Sequence, residues 1–137
     1  MVTRTLALAG LVALAGCDAF GLGPDDDVGV CTTEYRAYVV EVVGPGGEPV
    51  PGLAARSVVV STGVVLGASD GERAPSTTGV YVVATDGDRR ALGAGPTAVR
   101  FTAEGDELRA DADYVFAFDA CHVTRLSGPD QVEGVRR

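Results

Sequence analysis

The chain has 137 residues, a formal charge of −8, 46% hydrophobic residues, no tryptophan and three cysteines. That length accommodates one hydrophobic core and no second, and so acidic a surface repels phosphate backbones, which argues against nucleic acid as a partner. All eleven basic residues are arginine, read here as genomic base bias rather than a functional device.

Met1 to Thr5 contains a single charge, Arg4, and Leu6 to Ala15 is a ten-residue apolar run. A bilayer span needs about 20 such residues, so the run reads as a secretory leader and not a transmembrane helix. It closes on Leu14-Ala15-Gly16-Cys17, which resembles the lipobox of bacterial lipoprotein signals. The resemblance implies that residues 1–16 are removed and that Cys17 becomes a lipid-modified N-terminus. It also implies a protein held to a membrane of the bacterial cell envelope by that lipid. Asp18 follows the cysteine, and the choice between inner and outer membrane stays open.

Residues 17–30 hold Gly21, Gly23, Pro24 and Asp25-Asp26-Asp27, too few large apolar side chains to pack, and read as a flexible acidic tether. The aspartates lack the alternating spacing and distal Glu of a calcium loop. With Cys17 assigned to lipid, Cys31 and Cys121 remain as an even pair, and an oxidising compartment favours their disulfide.

Residues 31–137 form the folded domain. Tyr35 to Val43 opens it as a strand, with Tyr38, Val40 and Val42 on one face, and Gly44-Pro45-Gly46-Gly47 breaks it. Arg56 to Ser61 and Gly63 to Leu66 follow as valine-rich strands. After a long loop at Asp70 to Thr78, strands are expected at Gly79 to Thr85 and Thr97 to Ala103, the latter with Val99, Phe101 and Ala103 inward. Asp113 to Asp119 sets Tyr114, Phe116 and Phe118 on one face, destined for the core centre, and His122 to Leu126 closes the series. No segment sustains helical spacing. The expectation is an all-β, antiparallel two-sheet sandwich of about seven strands, immunoglobulin- or transthyretin-like.

Val40-Glu41-Val42-Val43, Gly47, Pro49-Val50, Gly52 and Val58-Val59-Val60 resemble the first hairpin of bacterial carboxypeptidase regulatory-like domains. Thr78-Gly79-Val80-Tyr81 and Asp119-Ala120-Cys121-His122-Val123 resemble further pieces of that family. The resemblance covers Tyr35 to Leu126 and implies a transthyretin-like sandwich without peptidase activity.

For chemistry, one histidine, His122, and no H-E-x-x-H run leave zinc catalysis without ligands. Cys121 and His122 are neighbours on an expected strand, so their side chains should diverge. The pairs Asp86/Asp88 and Asp111/Asp113 adjoin turns and read as local backbone acceptors rather than an ion site, and Arg89-Arg90 and Arg136-Arg137 as solubilising charges. No metal, cofactor or catalytic set is expected. The chain reads as a non-enzymatic envelope protein with a structural, adhesion or interaction role. The alternative is a carbohydrate- or peptide-binding module, its protein or glycan partner unidentified.

Overall fold

The computed structural model describes residues 31–67 and 75–137. The leader, Cys17, the tether to Val30 and most of the Asp70 to Thr78 loop lie outside the described residues. Among the described residues eight strands run in chain order: β1 (Ala37–Val43), β2 (Ala54–Val59), β3 (Val80–Thr85), β4 (Thr97–Glu104), β5 (Leu108–Phe118), β6 (Val123–Ser127), β7 (Gln131–Glu133) and β8 (Val135–Arg136). They form an all-β sandwich of two packed sheets, one ordered β3-β1-β7 and the other β2-β4-β5-β6 with β8 on β5.

Period-two alternation builds both faces of the core. Val40 and Val42 of β1, Tyr81 and Val83 of β3, Val59 of β2, Val99 and Phe101 of β4, and Tyr114, Phe116 and Phe118 of β5 are buried together. The β5 aromatics therefore occupy the core as their spacing predicts, while Arg100 and Asp113 on the opposite face meet water. The β4–β5 hairpin is the longest pairing, from Thr97 opposite Phe116 to Glu104 opposite Arg109.

The crossover from β1 to β2 is fixed by one phenol. The Tyr81 hydroxyl accepts the Leu53 N–H at 3.0 Å and donates to the Val50 carbonyl at 2.7 Å. Two backbone groups of the crossover are thus satisfied by a side chain from β3, the strand paired with β1.

Three expectations need correction, and one short element gave no sequence signal. Gly63 to Leu66 is not a strand: Gly63 takes φ +72° in a tight turn, and Val65 makes only an isolated bridge to Val58. Strand β5 begins at Leu108 rather than Asp113, because Ala110 and Ala112 continue the inward face behind the small-residue alternation. Arg89–Leu92 is a one-turn helix, α1, too short for helical periodicity to register. The sandwich is also not wholly antiparallel, since β7 runs parallel to β1.

That last feature arises from the C-terminal tail, which leaves β6 in the larger sheet, adds β7 to the smaller one, and returns as β8 beside β5. The switch occurs at Gly128, whose φ of +125° and close approach to the Tyr114 ring leave no room for a side chain. The Tyr114 hydroxyl donates to the Pro129 carbonyl at 2.9 Å and holds the crossing segment down. Burial pushes that hydroxyl's pKa up to about 12, so it stays a donor.

Candidate functional site

One end of the sandwich gathers the segment entering β1, the 3-10 turn Asp86–Asp88 that follows β3, and the turn between β5 and β6. The disulfide Cys31–Cys121 joins the first to the third. Asp119 shapes the β5–β6 turn: its Oδ1 accepts the N–H groups of Cys121 at 2.7 Å and His122 at 2.6 Å. Those two donors hold its carboxyl below the usual carboxylate range. His122 consequently lies in the turn before β6 and not on a strand, and its ring is turned inward, with only 7% of the residue exposed.

Inside, His122 meets Asp86. The ring Nδ1 is 2.8 Å from Asp86 Oδ2, and the carboxylate also accepts the Arg36 N–H at Oδ2 and the Val123 N–H at Oδ1, each at 2.8 Å. Burial alone would raise the Asp86 pKa, but the Arg36 N–H, the His122 ring and the Val123 N–H outweigh it and hold it low. An ionised carboxylate can only accept, so Nδ1 carries a hydrogen, and in the neutral ring Nε2 then offers a lone pair. That lone pair faces the Thr32 hydroxyl, with Nε2 to Oγ1 at 3.1 Å.

The result is a chain of three groups, Asp86, His122 and Thr32, drawn from positions 36 and 90 residues away from the histidine. His122, in the middle, is the most buried of the three. The Asp86 and His122 side chains are enclosed, whereas Thr32 is exposed. Thr32, Arg36, Asp119 and His122 line a shallow cleft of about 310 Å³ there.

The other sequence candidates fall elsewhere. Asp88 does not join Asp86 in a site; it turns the other way and accepts the Gly67 and Thr85 N–H groups at 2.7 and 2.8 Å. Asp111 and Asp113 do not adjoin a turn but stand on the outer face of β5, where Asp113 takes Arg100 through two bonds at 2.8 and 3.0 Å. The Arg89 guanidinium sits 5.7 Å over the Phe118 ring, and Arg137 pairs with Glu104 at 3.0 Å. Among the described residues no group of three or more His, Cys, Asp or Glu side chains could hold a metal ion. Cys17 lies outside the described residues.

Sequence reasoning missed Thr32 and the Asp86 contact. One signal could have found the first: pairing Cys31 with Cys121 brings the residues that follow them, Thr32 and His122, side by side. Compared with protein-family models, curated proteins and solved structures, the chain matches none.

Proposed function

We propose that this is a lipid-anchored protein of the bacterial envelope, in which acylated Cys17 fixes a disulfide-braced β-sandwich to a membrane through the acidic tether 18–30. The sandwich serves an interaction or structural role at that surface. The observation that carries this reading is the division of the cysteines. Cys31 and Cys121 consume each other, which suits an exported chain and leaves the third thiol, at the close of the leader, for a different chemistry. Each methylene of an acyl chain buried in lipid contributes about 0.8 kcal/mol, so two or more chains hold a soluble domain durably.

Growth with labelled palmitate tests the anchor. Label is expected on the wild-type chain and not on Cys17→Ser, which should leave the membrane fraction. Equal label on both chains contradicts the reading.

A further inference from the structure

We infer that Asp86, His122 and Thr32 act as a relay that makes the Thr32 hydroxyl a nucleophile toward neutral acyl esters. The arrangement has the signature of an activated hydroxyl: nucleophile and base within hydrogen-bond reach, and the base oriented by a third group. His122 Nε2 stands 3.1 Å from Thr32 Oγ1 and Nδ1 stands 2.8 Å from Asp86 Oδ2. The carboxylate is itself fixed by the Arg36 and Val123 N–H groups, so Asp86 is a positioning residue that sets the tautomer. The disulfide one residue before both Thr32 and His122 fixes their backbones against each other. The exposed member is the one that must meet substrate.

In the reaction, the Thr32 oxygen bonds to the acyl carbon while its proton passes to His122 Nε2. The bond from that carbon to the alcohol oxygen breaks, and the alcohol leaves with the proton from Nε2. Water then attacks the acyl-threonine by the same path in reverse, releasing the carboxylic acid and restoring the hydroxyl. Arg36 lines the cleft as the cation available to the oxyanion, while Glu34 and Asp119 on its walls disfavour anionic acyl groups.

The same contacts could serve only to seat the segment before β1, and the two roles separate in one experiment. The purified full-length chain is exposed to a fluorophosphonate, and adducts are mapped by mass spectrometry beside melting temperatures. A single adduct at Thr32 is expected, retained in Thr32→Ser and absent in Thr32→Ala, whose exposed position leaves melting unchanged. His122→Ala and Asp86→Asn should label at least about 100-fold more slowly, and added imidazole should restore labelling to His122→Ala. A folded wild-type chain that takes no adduct at Thr32 overturns the inference, as does labelling of folded His122→Ala at the wild-type rate. Neither result bears on the anchor, which is read at Cys17.

Discussion

Ser57 sits in β2 with its side chain buried, and its hydroxyl has no hydrogen-bond partner among the described residues. A buried hydroxyl without a partner keeps its desolvation cost uncompensated. Ser57→Ala is therefore expected to stabilise the fold by about 1 kcal/mol, seen as a rise in melting temperature of a few degrees. A fall would mean that the hydroxyl is satisfied on the folded chain. Asp86 has the opposite character, since its charge is held by three donors. Its folded pKa lies below the unfolded value of 3.8, so between the two the unfolded chain binds more protons and stability rises with pH. The Asp86 contribution is complete above 3.8 and is lost as pH falls through the folded value. Melting curves taken down an acid series should show that loss in wild type and a flatter acid limb in Asp86→Asn. Identical limbs would remove Asp86 as its source.

At the level of elements, the β4–β5 hairpin and the sheet-switching tail differ in how openly the sequence declares them. Val99, Phe101, Tyr114, Phe116 and Phe118 alternate large apolar groups with residues that face water, and period-two pattern alone finds both strands. The tail does not alternate. Gly128, Pro129, Asp130 and Gly134 punctuate it, and β7 and β8 are held by backbone pairing to β1 and β5, which composition does not encode. The candidate site was hidden for a related reason. Asp86 has the look of a turn residue and does sit in a turn, yet its carboxylate faces a histidine 36 positions on. Long-range contacts of this kind depend on topology. Gly128→Ala tests the tail directly: a β-carbon there requires both the φ of +125° and displacement of the Tyr114 ring. A loss of about 2 kcal/mol in chemical unfolding is expected, and a chain as stable as wild type would contradict the crossing geometry.

Across the whole molecule, the domain is framed by one covalent link in the structure and one that we propose. The disulfide closes a separation of 90 residues, for which the chain-entropy model gives about 4 to 5 kcal/mol. That is a large fraction of the 5 to 15 kcal/mol typical of a domain, and it exceeds what a single exposed ion pair such as Arg100–Asp113 contributes. Cys31→Ser/Cys121→Ser should accordingly unfold at markedly lower denaturant, and an unchanged midpoint would show that the sandwich does not depend on its brace. The second feature is the acyl group proposed at Cys17, which together with the disulfide accounts for all three thiols. Peptide mapping of the native protein without reduction tests that account most directly. A mature N-terminus beginning at lipidated Cys17, with Cys31 cross-linked to Cys121, is the predicted result; an unmodified Cys17, or Cys17 joined to either of the others, would contradict it.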